Sequence, residues 1–229
     1  EEIFLAAGGE SGGGVFIVAD DFSIACGALA SLRDYFGEQL GLIDHSRDSF
    51  LWVVDFPLFE YDPEAKRWVA RHHPFTSPKN DHLPLLFNEQ EDQYSHLLAK
   101  AYDLVCNGHE IAGGSIRIHN QRVQRSLFKA LGMSDEEVQH QFGFFIEALS
   151  YGTPPHGGIA WGMDRLTMLL VGTNAIRDVI AFPKTAKATC LMSDAPSRVA
   201  REQLLELGIR LGTVAEANLK KDKGEKVGV

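Results

Sequence analysis

Gly157-Gly158-Ile159-Ala160-Trp161-Gly162-Met163-Asp164-Arg165-Leu166-Thr167-Met168-Leu169-Leu170 is the stretch on which the reading of this chain turns. A glycine-punctuated apolar run predicts a strand, and it passes through Asp164 and Arg165 into residues that suit a buried helix. Such a junction leaves backbone N–H groups without helical partners and sets a positive dipole end at the turn, which suits a nucleotide. Arg165 adds a planar cation that can stack on a base or pair with a phosphate. A glycine-rich turn is a weak signal by itself, and an ordinary strand-turn-helix with a surface arginine stays open.

Upstream, Asn107-Gly108 between two apolar runs is a strong hairpin signal. A two-residue turn there pairs Cys106 with His109, Val105 with Glu110, Leu104 with Ile111 and Asp103 with Ala112. Asp103 and Glu110 then share one face as diagonal neighbours, roughly 7–8 Å apart at Cβ. Two carboxylates at that reach can hold one hard cation together with phosphate oxygens, or can lie on a solvated sheet face. Strict alternation from Glu110 sends Arg117 to the opposite face, unless Gly113-Gly114 hosts a bulge that slips the parity by one.

The rest of the chain reads more coarsely. The opening, Gly8-Gly9-Glu10-Ser11-Gly12-Gly13-Gly14, lacks the Gly-Lys-Ser/Thr ending of a P-loop. Val15–Ala19 predicts a strand, and Ser23–Leu40 a helix from the spacing of Ile24, Leu29, Leu32, Tyr35 and Leu40. Phe50–Phe56 predicts a strand buried on both faces, and Arg67–Arg71 another. Residues 77–92, polar and with two prolines, predict a surface loop. Ser134-Asp135-Glu136-Glu137 has capping-box spacing and predicts a helix to about Leu149. Short helices are expected at Asn174–Val179 and Ser197–Glu206.

Composition excludes several classes. With 229 residues, 45% hydrophobic and 23% charged, the chain can bury a real core. No apolar run approaches the length of about 20 residues that spans a bilayer, and the N-terminus lacks a signal-peptide pattern. Cys26, Cys106 and Cys190 form no C-x-x-C pair, which argues against a disulfide framework or zinc and fits a cytoplasmic protein. The net charge of −9 opposes nucleic-acid binding through the whole surface, so a basic surface would have to be local. Lys220, Lys221, Lys223 and Lys226 read as a solvated tail that could touch phosphate. His72-His73 has no third ligand at metal spacing, and in a strand at most one of the two enters a site.

These pieces fall in the order of a known family. His72-His73-Pro74-Phe75-Thr76, the run from Tyr102 through Asn107-Gly108 to Glu110, and Gly113-Gly114-Ser115-Ile116-Arg117-Ile118-His119-Asn120 come first. Tyr151-Gly152-Thr153-Pro154-Pro155-His156, the opening stretch itself and Ile176–Lys184 follow. From about residue 14 to residue 195 the chain resembles the bacterial-type aspartyl class II aminoacyl-tRNA synthetases, with Gly157–Leu170 as their motif 3.

The resemblance implies an α+β fold: an antiparallel sheet flanked by helices, here an incomplete class II catalytic core over residues 47–229. Residues 1–46 are similar to the end of the family's insertion domain, as a small partial α+β domain. It implies ATP- and Mg²⁺-dependent activation of L-aspartate to the adenylate, then transfer to tRNA(Asp), by an enzyme that is a homodimer at full length. On the matching positions, His72 and Arg117 take aspartate, and Asp103 and Glu110 hold the metal. Glu110, Gly162, Met163, Asp164 and Arg165 meet ATP, Arg165 stacks on adenine, and His73 packs behind the pocket. Glu110, Arg117 and Arg165 are therefore the residues expected to carry catalysis. Ala112 stands where the family usually has glycine.

Motif 1, motif 2 and an anticodon-reading domain are not found, and the chain begins at Glu1 rather than at methionine. The expectation is a C-terminal fragment that does not charge tRNA alone. Two alternatives are a paralogue that binds aspartate or ATP as a sensor or partner subunit, and an ammonia-dependent asparagine synthetase. The insertion-domain remnant counts against the second, and equally against the asparaginyl enzyme.

Overall fold

The computed structural model describes residues 2–10 and 12–215, with the side chains of Glu2 and Ile3 excepted. The lysines at 220, 221, 223 and 226 lie outside the described residues. Packing divides the chain into two units, Glu1–Ala160 and Trp161–Val229.

The first unit carries an antiparallel ladder. A short helix, α1 (Glu2–Ala6), precedes α2 (Phe22–Gln39), which matches the helix read from the sequence. Strand β1 (Phe50–Val54) pairs antiparallel with β4 (Ala101–Cys106), and β4 pairs antiparallel with β5 (His109–Ile116). With β6 (Gly157–Trp161) the sheet runs β1-β4-β5-β6. A separate hairpin joins β2 (Phe59–Asp62) to β3 (Arg67–Ala70).

Helices cover part of this frame. The helix α3 (Leu83–Phe87) leads through a 3-10 turn (Glu91–His96) towards β4, and α4 (Gln121–Ala130) and α5 (Asp135–Ser150) follow β5. Asn120 caps α4 by accepting from the N–H groups of Arg122 (2.9 Å) and Val123 (3.3 Å). Ser134 and Glu137 close the capping box of α5 reciprocally, as its spacing predicts. One cluster of buried side chains joins Leu58, Phe59, Leu86, Leu97, Ile118 and Leu127. A second is aromatic: Phe128 stacks on Phe142 with ring centroids 4.8 Å apart, and Phe75 meets both edge-on.

The second unit holds α6 (Met163–Val171), a 3-10 turn at Ile176–Asp178 and α7 (Arg201–Glu206). Gly172 closes α6 in the left-handed region (φ 75°), and the Thr173 N–H donates back to the Met168 carbonyl. Among the described residues no helix is long and apolar enough to cross a membrane.

Several expectations need correction. Val15–Ala19 forms no strand; with no partner strand beside it, β propensity alone does not make a ladder. Phe50–Val54 is a strand at the sheet edge, but all five residues are exposed, so among the described residues nothing buries either of its faces. Residues 77–92 are not a plain loop: they hold a 3-10 turn, α3 and the start of another 3-10 turn, and Leu86 is fully buried there. In α6 only Met168 is buried, so the helix is not the buried one its apolar residues predict.

Candidate functional site

The Asn107-Gly108 turn forms as read. Both residues have positive φ (51° and 83°), Cys106 pairs with His109, and the turn is anchored to the incoming chain. The Asn107 side-chain oxygen accepts from Ser49 N–H (2.8 Å), while its nitrogen donates to Asp48 (3.0 Å).

The register then departs from the expectation. Val105 faces Glu110, but Leu104 faces Ala112 and Asp103 faces Gly113. Ile111 is the extra residue, so the bulge lies one residue after Glu110 and not at Gly113-Gly114. Its consequence is the one the sequence argument required: parity slips once, and Gly113, Ser115 and Arg117 join Glu110 and Asp103 on one face.

The two glycines serve close approach instead. A Cβ on Gly113 would stand 2.6 Å from Asp103 Oδ1 and 3.4 Å from Glu110 Oε1. On Gly114 it would stand 2.0 Å from the Gly158 carbonyl oxygen, where β5 and β6 come together. Tyr102 closes that contact by donating its hydroxyl to the same carbonyl at 3.0 Å.

Asp103 and Glu110 thus converge over a glycine. Burial, and next the neighbouring charge of Glu110, push the Asp103 carboxyl above its ordinary value, while His72 works the other way. Two hard oxygen donors that share one face and repel each other suit a divalent cation such as Mg²⁺. Among the described residues no group of three or more His, Cys, Asp or Glu side chains gathers for a metal, so further ligands would come from the bound molecule or water.

Arg117 follows on the same face. Its Nη1 lies 3.2 Å from His73 Nδ1, and its backbone N–H donates to His156 O at 2.9 Å. A guanidinium can only donate, so His73 Nδ1 is the acceptor and the ring carries its proton on Nε2. The Phe75 N–H donates to the same Nδ1 at 3.2 Å, and the Thr76 hydroxyl is 3.4 Å from either ring nitrogen. Burial first, then Arg117, then His72 hold the His73 pKa below its ordinary value. His73 is therefore a neutral hydrogen-bond acceptor, half-buried behind the guanidinium.

The sequence reading favoured His72 for the pocket. In the structure His72 is exposed, with Phe56 edge-on to its ring at 4.9 Å, and it bears electrostatically on Asp103. The contact with Arg117 belongs to His73, and nothing in the spacing of two adjacent histidines separates them. Gly162, Met163, Asp164 and Arg165 lie in the second unit, all exposed. Gly162 is the N-cap of α6 without a side-chain cap bond, and Asp164 sits in its first turn.

The family model for class II tRNA synthetases (D, K and N) matches residues 21–186, and the chain belongs to that family. It is 54% identical over 210 residues to an aspartate–tRNA ligase of Macrococcus caseolyticus, covering 92% of this chain and 35% of that protein. An aspartate–tRNA(Asp/Asn) ligase of Nitratidesulfovibrio vulgaris is 56% identical over 209 residues, 91% of this chain and 34% of its own. An aspartyl-tRNA synthetase structure from Entamoeba histolytica aligns with a TM-score of 0.46 at 22% identity, over 81% of this chain and 30% of that one. The chain spans about a third of the length of the curated relatives it matches.

Proposed function

We propose that this chain supplies part of the catalytic domain of an aspartate–tRNA ligase, which activates L-aspartate with ATP and passes it to tRNA(Asp). One observation carries the reading: the bulge at Ile111 brings Arg117 to the Asp103–Glu110 face and sets it against a neutral His73. The similarity to aspartate–tRNA ligases over nine-tenths of the chain supports the choice of substrate.

Each residue has a task that its chemistry suits. Arg117 gives one donor to His73 and turns the rest of its planar fork to the substrate's side-chain carboxylate, which it binds bidentately. Asparagine offers no charge to answer the guanidinium and is rejected. A protonated His73 would repel Arg117, so its depressed pKa keeps the clamp intact. His72, exposed beside Asp103, contacts aspartate from the rim. Asp103 and Glu110 hold Mg²⁺, which when bound supplies charge neutralisation on the ATP phosphates. In the second unit Gly162, Met163, Asp164 and Arg165 meet ATP, with Arg165 stacking on the base. No protein nucleophile is needed: the α-carboxylate of aspartate bonds to the α-phosphorus of ATP as the bond to the β,γ-phosphates breaks and pyrophosphate leaves, so positioning does the rest.

The proposal extends to residues 1–46 as a partial insertion domain, to residues 47–229 as catalytic domain, and to a cytoplasmic homodimer at full length. The test is aspartate-dependent ATP–pyrophosphate exchange. The full-length protein carries it out and residues 1–229 alone do not. Arg117→Ala in the full-length protein raises KM for aspartate about a hundredfold or more, with KM for ATP little changed. Binding of aspartate and ATP without exchange by the full-length protein would point to a sensor instead.

A further inference from the structure

Behind the arginine clamp lies a polar side chain that the reaction does not touch. Gln124, on α4, is completely buried. Its amide nitrogen donates to the Pro74 carbonyl at 2.6 Å, and among the described residues its amide oxygen has no hydrogen-bond partner. Burying an amide with one acceptor unmatched is costly, and a methionine of similar volume would fill the space without that cost. Packing alone therefore does not account for glutamine at this position. What it supplies is a donor for one backbone carbonyl.

That carbonyl belongs to the residue between His73 and Phe75. On one side, the Phe75 ring is fixed among Phe128, Phe142 and Phe145, and the Phe75 carbonyl accepts from Ile118 N–H at 2.9 Å. On the other side, the His73 ring receives Arg117. Pro74 links the Phe75 ring, packed among three other phenylalanines, to the His73 ring that meets Arg117. Arginine has large rotamer freedom, so a clamp that is ordered before the ligand arrives binds it better.

We propose that Gln124 is a positioning residue for the clamp: its bond to the Pro74 carbonyl sets the His73 ring so that Nδ1 meets Arg117. The identity of the clamped carboxylate rests on the ligase reading above, whereas the positioning does not.

Gln124→Met keeps the volume and deletes the donor. In residues 1–229, NMR titration of the His73 ring gives a midpoint below the ordinary histidine value in the parent, rising towards it in the variant as the ring leaves Arg117. Among the described residues the groups that face His73 are Arg117, His72, the Phe75 N–H and the Thr76 hydroxyl, and none of them is acidic. In the full-length protein the same change raises KM for aspartate about tenfold, with a smaller change in kcat and none in KM for ATP.

A merely structural glutamine would lower the melting temperature and move neither the midpoint nor KM. That result in a folded variant overturns the proposal. Should Gln124→Met not fold, Gln124→Asn keeps an amide but withdraws it from Pro74, and the same two readings decide. If the unsubstituted full-length protein shows no aspartate-dependent exchange, the ligase reading fails, and the His73 titration alone decides the positioning.

Discussion

Two parts of the first unit are both rich in apolar residues and have opposite fates. Between Leu58 and Leu149, helices α3, α4 and α5 and the β2–β3 hairpin share two clusters of buried side chains. Across α2 and β1 no described side chain is buried: Phe22 is 85% exposed and Trp52 55%. The difference lies in partners rather than in residue type. Phe128 has Phe142 stacked on it, Phe75 at its edge and no exposed surface. At α2 the ring contacts are few: Phe36 meets Tyr35 beside it at 5.3 Å and Phe16, from the segment before the helix, at 5.1 Å. The first region holds its helices by burial, while the second holds α2 by backbone hydrogen bonds and contacts that leave every side chain at least partly exposed, a much weaker source of stability.

The largest expected effect tests that contrast directly. Phe128→Ala costs about 3–5 kcal/mol in urea unfolding, whereas Phe22→Ala costs within about 0.5 kcal/mol of nothing. Equal costs would erase the distinction. Hydrogen exchange sharpens it: the amides of α4 exchange only through global opening, and those of α2 through a local opening of far lower free energy.

Next in size is a pair of glycines on β5. Gly114→Ala drives a Cβ into the Gly158 backbone, which cannot step aside, and costs about 1–3 kcal/mol or more with loss of the β5–β6 contact. Gly113→Ala meets the ends of the Asp103 and Glu110 side chains, which can move. It leaves the melting temperature nearly unchanged and weakens Mg²⁺ or Mn²⁺ binding by about tenfold or more. Calorimetry and metal titration on both variants separate framework from site, and a reversal of the two outcomes would refute the assignment.

The smallest effect is electrostatic. Asp103 has a native pKa above its unfolded value, so its contribution favours folding below the unfolded pKa and is lost as pH rises through the native one. At neutral pH the ionised carboxylate beside Glu110 is a cost. Asp103→Asn therefore melts slightly higher than the parent at pH 7 and no higher at pH 3, while binding Mg²⁺ more weakly. His73, shifted downward, has the opposite sign: its contribution is present above the unfolded histidine value and fades as pH falls through the native one.

Much of the chain was legible because its signals are local. The Asn107-Gly108 turn, the capping box at Ser134 and the helix from Phe22 to Gln39 follow from residues within a few positions of each other. Asn120 offered a local signal as well: an N-cap asparagine before Gln121 could have announced α4, and with it the helix that carries Gln124. The need for one slip of parity between Glu110 and Arg117 was also legible, since alternation counts residues. Its place was not. The pair Gly113-Gly114 suggested a bulge, but those glycines are spent on the Asp103 carboxylate and the Gly158 carbonyl, and the slip falls on buried Ile111.

By itself the sequence determined the turn, the caps, the shared face of Asp103 and Glu110 and the family order of its motifs, because each depends on spacing along the chain. Only the tertiary structure decided that the His73 ring meets the Arg117 guanidinium, that Gln124 reaches the Pro74 carbonyl, and that β1 lies open. Those depend on which surfaces meet across 44 or 50 residues of separation, and no local periodicity encodes where distant surfaces come to rest.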